Sequence, residues 1–290
     1  NKPYFCMKRF FISGLLVLSL FTNVYAWDML QPSGGKTNSL GKCSVALNDF
    51  WSLYNNPAGF SSYKNLSIGI SYESRFLLKE LGYKNIGVLL PLNIGVIGIS
   101  ASRFGYEHYN ENIIGIALAR DFGPKLKIGL KLDYIYLKFS GDYDNFSAPT
   151  FELGLQYEIN ENLSLGAYLF NPIHVKLKTS INYKTPIVTR LGFSYFIKDN
   201  FMITSEIEEN FEDNFSYRFG IEYEYHKSFF IRSGFQINPE LFSFGFGYTY
   251  EWWSIDIAGQ MSQDLGSSLN CSLVFKIKDK CKKGGAALQQ

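Results

Sequence analysis

The sequence predicts an all-β protein, a transmembrane antiparallel β-barrel of about 14 strands with an N-terminal hatch or plug segment. Three observations lead to this prediction: apolar and polar residues alternate, aromatic residues are abundant, and short connections between strands alternate with longer ones. The chain is 46% hydrophobic and 17% aromatic, with 26 Phe and 20 Tyr. Aromatic and β-branched residues favour strands, so this composition agrees with the alternation.

The start of the chain has the layout of a secretory signal peptide. Residues 1–6 precede Met7, Lys8 and Arg9 give a basic start, and an apolar run covers 10–21 before the small residue Ala26. This layout predicts cleavage after Ala26. The apolar run is shorter than the roughly 20 residues that a membrane-spanning helix needs. We therefore expect an exported protein.

The clearest alternating stretch is LFSFGFGYTY at 241–250, which places Phe244 on one face and Gly245 on the other. A barrel in lipid turns the aromatic face outward, so we expect Phe244→Arg to be costly and Gly245→Ser to be better tolerated. Fourteen segments of this kind are found, most of them near the roughly 9–11 residues of a tilted membrane-spanning strand. Their spans are 66–76, 84–91, 94–103, 111–121, 125–139, 149–159, 162–170, 186–197, 200–208, 214–225, 228–237, 240–250, 252–260 and 267–278.

The connections between these segments differ in length. Gly123-Pro124 and His226-Lys227 are tight, whereas 105–112 and 140–148 are longer and more polar. Short periplasmic turns and longer outer loops are typical of outer-membrane barrels. A secreted β-sandwich also alternates. The even strand count, the uniform strand length and the aromatic residues near strand ends favour the barrel over the sandwich.

The inward face of such a barrel carries charges of both signs, and we expect them to form cross-strand ion pairs. Glu206 and Glu208 share a face, as do Glu222 and Glu224, and such pairs can serve as acid/base or metal sites. No His or Cys lies near them, so a salt-bridged wall is the favoured interpretation. The charged set is Glu73, Arg75, Lys127, Lys131, Asp133, Glu152, Glu158, Arg190, Glu206, Glu208, Arg218, Glu222, Glu224, Arg232 and Asp256.

Other chemical signals in the sequence are weak. Gly35-Lys36-Thr37 looks like a phosphate loop, but Leu30 stands where that loop needs a glycine. Cys43, Cys271 and Cys281 show neither a disulfide framework nor metal-ligand spacing, and a Cys271–Cys281 bridge stays open. The net charge of +2 implies no nucleic-acid face. The sequence predicts no catalytic residue, no cofactor and no metal site, and therefore a protein that is not an enzyme.

Residues 27–63 form a mostly non-strand segment before the first strand. Ser39-Leu40-Gly41, then 46–49, then Asn-Pro-Ala-Gly at 56–59 follow one another in it. This order resembles the N-terminal hatch of the FadL-like outer-membrane β-barrel superfamily and of its PorV/PorQ-like, type IX secretion-associated group. The hatch-motif residues that the resemblance implies are Gly41, Asp49, Asn56, Pro57, Ala58 and Gly59.

The resemblance also implies a fourteen-stranded barrel with a plugged lumen. The expected organisation is upstream residues plus signal peptide at 1–26, the N-terminal hatch at 27–63, the outer-membrane β-barrel at 64–278 and a C-terminal tail at 279–290. The expected location is the outer membrane of a Gram-negative-type bacterium, with outer-membrane lipid around the barrel. Short outer loops and the residues after the last strand depart from the FadL-like pattern.

Three functions follow from these observations. The first is a PorV/PorQ-like subunit of a protein export (type IX secretion) or other outer-membrane assembly, with protein partners. The second is FadL-like passive transport of long-chain fatty acids or other hydrophobic small molecules, with the hatch as a gate. The third is a purely structural barrel.

Overall fold

The structure is a computed structural model that describes residues 31–140, 145–172, 186–210, 215–263 and 266–277. The predicted signal peptide, the predicted tail and Cys281 lie outside the described residues. The strands are β1 (Leu66–Ser74), β2 (Gly82–Leu92), β3 (Gly95–Gly105), β4 (Tyr109–Phe122), β5 (Leu126–Phe139), β6 (Phe146–Glu158), β7 (Leu163–Phe170), β8 (Val188–Lys198), β9 (Phe201–Asn210), β10 (Ser216–Tyr225), β11 (Phe229–Ile237), β12 (Leu241–Tyr250), β13 (Trp253–Ser262) and β14 (Gly266–Ile277).

These strands form one closed antiparallel barrel. Each strand pairs with its neighbours in sequence, and β1 pairs with β14 from Leu66 opposite Ile277 to Ser74 opposite Leu269. Closure gives every strand two partners and leaves no edge with unpaired backbone groups, which is the condition for crossing a bilayer with strands. The predicted fold class and strand count are confirmed.

Side-chain exposure follows the strand alternation, with apolar residues on the outside. In β12 the rings of Phe244 and Phe246 are 45% and 49% exposed, whereas Ser243 is fully buried. A β-sandwich would bury the aromatic face and expose the serine face. The structure therefore excludes the sandwich and shows the predicted outward orientation of Phe244 and inward orientation of Gly245.

The two mouths of the barrel differ in their connections. β1 begins and β14 ends at one mouth, where tight turns such as His226-Lys227, with both φ angles positive, join the strands. The paired residues Tyr225 and Phe229 are separated by only three residues, and positive φ at two of these three suits a tight hairpin connection. We call this the periplasmic mouth, because outer-membrane barrels have short periplasmic turns, and we call the opposite one the outer mouth.

The helical elements are short. Before β1 lie the helices α1 (Gly35–Ser39) and α2 (Ser52–Asn55) and a 3-10 turn, Pro57–Phe60, while two further 3-10 turns, Arg75–Leu77 and Lys79–Leu81, join β1 to β2 at the outer mouth. In the described part of the chain, no helix has the length and apolar character needed to cross a membrane.

Candidate functional site

Residues 33–61, which we call the lumenal segment, lie inside the barrel and bond to strands on several sides. The Gly35 amide donates to Ser272 Oγ on β14 at 3.0 Å, and the Gly41 amide donates to Ser243 Oγ on β12 at 2.8 Å. On β8, Ser194 Oγ donates to the Ala46 carbonyl oxygen at 3.1 Å. Backbone groups of an irregular segment need such partners when they are buried. The segment therefore fills part of the lumen.

Asn56 connects two parts of the lumenal segment to the wall. Its Nδ2 donates to the Val45 carbonyl oxygen at 2.6 Å and to the carbonyl oxygens of Leu155 and Ala167, on β6 and β7, at 3.3 Å each. Its Oδ1 accepts from the Ala58 amide at 3.2 Å, which caps the 3-10 turn that begins at Pro57. Sequence reasoning indicated the turn but not the contacts with the wall.

Gly41 and Gly59 lie where the backbone is crowded. Gly41 has φ +64°, and a Cβ there would meet the backbone of Phe219 and Phe235 at 2.6 to 2.8 Å. At Gly59 a Cβ would meet the Leu47 carbonyl oxygen and the Ser52 side chain. Both positions therefore require glycine. Ala58, next to Gly59, is fully buried.

Asp49 stands apart from the other motif residues, at the start of α2. Its Oδ1 accepts from the Ser52 amide at 3.1 Å, and its own amide donates to Ser52 Oγ at 3.3 Å. This reciprocal pair resembles a capping box. Burial raises the pKa of the Asp49 carboxyl above its ordinary value, and Oδ2 has no hydrogen-bond partner among the described residues.

Glycines of the barrel wall lie against the lumenal segment and leave room for it. Ten of the fourteen strands place a glycine where a Cβ would come closer than 3.0 Å to an atom of the segment. Strand glycines mark places where another backbone approaches closely. This glycine seat was not recognised in the sequence, although glycine at inward mid-strand positions is its signal. It comprises Gly69, Gly87, Gly98, Gly129, Gly154, Gly166, Gly192, Gly220, Gly234 and Gly245.

An ion-pair network joins the wall to the lumenal segment. Arg218 lies 2.6 Å from Glu206 and 2.7 Å from Glu208, and Arg190 lies 2.5 Å from Glu208. The second oxygen of Glu206 accepts from the Ser44 amide at 2.7 Å and from the Val45 amide at 2.8 Å. Because both carboxylates are held by arginines, the predicted salt-bridged wall is found here.

A second network includes a residue of the apparent phosphate loop. Lys36 Nζ lies 3.2 Å from Glu222, which also pairs with Arg232 at 2.5 Å, and Arg232 pairs with Asp256 at 2.6 Å. Lys36 thus holds the segment against β10. On the opposite side, Lys131 pairs with carboxylates of β5 and β6.

An apolar cluster faces the lumen near the outer mouth, and sequence reasoning missed it. Its members come from β2 to β8 and from Val45 and Ala46 of the lumenal segment. In the stretch 134–137, Tyr-Ile-Tyr-Leu, apolar residues point both ways, and such a run is the sequence signal for a strand that is apolar on both faces. The cluster is Val45, Ala46, Tyr83, Phe104, Ile113, Ile135, Leu137, Phe146, Ala148, Tyr168, Phe170 and Val188.

The cysteines contribute no common site in the described chain. Cys43 is free and buried, with its thiol donating to the Thr204 carbonyl oxygen at 3.8 Å, and Cys271 is free and exposed on the outer surface. Within the described ranges, no group of three or more His, Cys, Asp or Glu side chains could hold a metal ion.

Comparison with known proteins finds likeness in structure only. No family model matches the chain, and no curated protein matches it. The Ralstonia pickettii toluene transporter TbuX superposes with a TM-score of 0.67 at 12% identity, over 87% of this chain and 100% of that one. The Pseudomonas putida toluene transporter TodX gives 0.62 at 12% identity, over 84% and 98%. A Pseudomonas aeruginosa FadL homologue gives 0.57 at 10% identity, over 85% and 98%.

These structural neighbours are two toluene transporters and a FadL homologue, and at this identity the likeness concerns the fold. The closed barrel and its apolar exterior need a surrounding bilayer, and transmembrane barrels of this type occupy outer membranes. The chain is a fourteen-stranded β-barrel with a FadL-like fold, located in the outer membrane of a Gram-negative-type bacterium.

Proposed function

We propose that this barrel admits small hydrophobic molecules through the outer membrane without catalysis. The observation that carries the proposal is the apolar cluster inside the lumen, which lies between the outer mouth and the lumenal segment. Apolar walls inside a barrel give a hydrophobic molecule a site that water does not compete for. The fold shared with toluene transporters supports the same function.

Uptake measurements test this proposal. Cells that carry the barrel should take up labelled toluene or a long-chain fatty acid faster than cells without it. Leu137→Gln places an amide in the cluster, where Leu137 is fully buried, and should lower uptake. Leu132→Gln, on the lipid-facing side of the same strand, is the matched control and should change uptake less. Equal uptake with and without the barrel would overturn the proposal.

The lumenal segment is the proposed gate, because it lies between the apolar cluster and the periplasmic mouth. Thr204→Cys places a second thiol beside the native Cys43 and should allow a disulfide that fixes the segment to β9. Fixing the segment should block uptake, and a reductant should restore it. Thr204→Cys combined with Cys43→Ser is the matched control, since it cannot form the bond. Undiminished uptake by the verified disulfide form would show that entry bypasses the segment.

A PorV/PorQ-like role in protein export is the second candidate. Two of the described outer connections favour it, because 106–108 and 238–240 are only three residues each and offer little surface to a small ligand. Gentle detergent extraction followed by mass spectrometry of co-purifying proteins separates the candidates. The export role would be favoured if a protein co-purifies in stoichiometric amount and cells with the barrel take up toluene no faster than cells without it.

A further inference from the structure

A basic groove lies on the outside of the barrel, near the outer mouth. It has a volume of about 500 Å³, and Arg103, Asn112, Tyr136 and Lys138 line it. An adjoining depression shares Arg103 and Asn112 and extends to Lys84 on β2. We call this surface, which crosses β2 to β5, the outer-wall groove. It is separate from the lumen, because its charged residues occupy outward positions of their strands.

Strand register places the polar residues of the outer-wall groove in one row. Lys84 is opposite Arg103, Arg103 is opposite Asn112, and Asn112 is opposite Tyr136. Like charges directly opposite each other on neighbouring strands repel. The ion pairs of the described chain include neither Lys84 nor Arg103, and none of the described groove-lining residues is acidic. An anion would relieve the repulsion between these two cations.

The row lies at the upper edge of an apolar band. The next outward row towards the periplasm contains Ile86, Ala101, Ile114 and Tyr134, and two further apolar rows follow, ending at Leu90. Lys84 and Leu92, the last outward residue of β2, are eight residues apart, which is about 26 Å along the strand and about 20 Å in height for a strand tilted by about 40°. An apolar band of transmembrane barrels is about 25 Å tall, so the groove lies at the level of lipid headgroups.

We infer that the outer-wall groove binds the phosphate of an outer-leaflet glycolipid headgroup. The Arg103 guanidinium can donate two parallel hydrogen bonds to a phosphate, and Lys84 adds a second positive charge. Asn112 and Tyr136 offer neutral polar groups to the sugar. Ile114 and Tyr134, directly below, offer an apolar surface to the acyl chains. A soluble anion would use only the charged row, whereas a phosphorylated glycolipid uses both rows.

Native mass spectrometry of the detergent-solubilised protein with bisphosphorylated lipid A tests this inference. The intact protein should retain lipid A, and Arg103→Gln should weaken retention roughly tenfold, with a larger loss when Lys84→Gln is added. Arg120→Gln is the matched control, because Arg120 faces outward on β4 at the periplasmic mouth. The mobility shift of unheated protein on gels verifies that each variant is folded.

Two comparisons identify the bound chemistry. Dephosphorylated lipid A should bind roughly tenfold more weakly than the bisphosphorylated form, and millimolar inorganic phosphate should leave retention unchanged. Displacement by inorganic phosphate would reveal a site for free anions and overturn the inference. Equal retention by Arg103→Gln and Arg120→Gln, or equal binding of both lipids, would overturn it as well.

Discussion

Asn56 and Gly154 show how single residues hold the lumenal segment in place. Asn56 donates to carbonyl oxygens of the segment, β6 and β7, and its Oδ1 occupies the space where Gly154 would carry a Cβ. The turn at Asn56-Pro57 could be predicted from sequence, because asparagine and proline have local turn preferences. The partner Gly154 could not, since the pairing joins residues about a hundred positions apart.

Gly154→Ala should push Asn56 out of position. We expect a loss of roughly 1–3 kcal/mol in unfolding free energy, because the added methyl group overpacks a contact with little freedom to move. Chemical denaturation and limited proteolysis of residues 33–61 measure the effect. Gly259→Ala is the matched control, since a Cβ there meets only the far end of the Phe244 ring. Equal effects of the two substitutions would show that the seat is not selective for glycine.

Asp49 is expected to make stability depend on pH. Burial raises the pKa of its carboxyl, so the charged form carries a cost that disappears as the pH falls through the raised pKa towards the ordinary value. The wild-type protein should therefore gain stability from pH 7 towards pH 4 relative to Asp49→Asn, which keeps the bond to the Ser52 amide and does not titrate. Asp49→Ala removes that cap and should be about 1 kcal/mol less stable than Asp49→Asn at either pH, because neither side chain titrates. A pH-independent difference between the wild type and Asp49→Asn would contradict the assignment.

At the scale of strands, the alternation in the sequence predicted the elements well. The predicted and observed spans agree closely, as for 240–250 and Leu241–Tyr250. Strand formation and facing are local properties that follow from a period of two. What fills the inside is not local. Sequence reasoning did not foresee the crowding at Gly245, where a Cβ would meet Ser39 Cβ and the Ile257 carbonyl oxygen at 2.5 Å, so Gly245→Ser should carry a cost of its own.

Phe244→Arg retains its predicted cost, and a depth comparison tests it. Phe244 faces outward near the middle of β12, so arginine there should lower the unfolding free energy by roughly 2–4 kcal/mol. Tyr250 faces outward at the periplasmic end of the same strand, where arginine should cost only about 0–1 kcal/mol. Denaturant titration in lipid vesicles gives both values. Equal costs at the two positions would show that the bilayer depth assigned to Phe244 and Tyr250 is wrong.

At the scale of the molecule, the wall has stabilising contacts of its own. Arg190, Arg218 and Glu208 pair within the wall without help from the lumenal segment, and every strand keeps two neighbours. Deletion of residues 34–60 should therefore leave an inserted barrel, and its glycine-lined lumen should pass small hydrophilic solutes. Vesicle swelling measures that leakage. A deletion variant that remains tight to solutes would show that the segment is not the barrier.

The closed wall also imposes an order in time on the assembly of the protein. The Gly35 amide bonds to Ser272, 237 positions later, and Asn38 accepts from Gln260, 222 positions later, so the first part of the mature chain waits for the last strands to arrive. Once β1 and β14 have joined, a segment seated against ten strands could enter only by threading through a mouth. The lumenal segment should therefore be enclosed when β1 pairs with β14, so that the barrel wall folds around the segment. Because these contacts join residues that are far apart in sequence, this step should be slow.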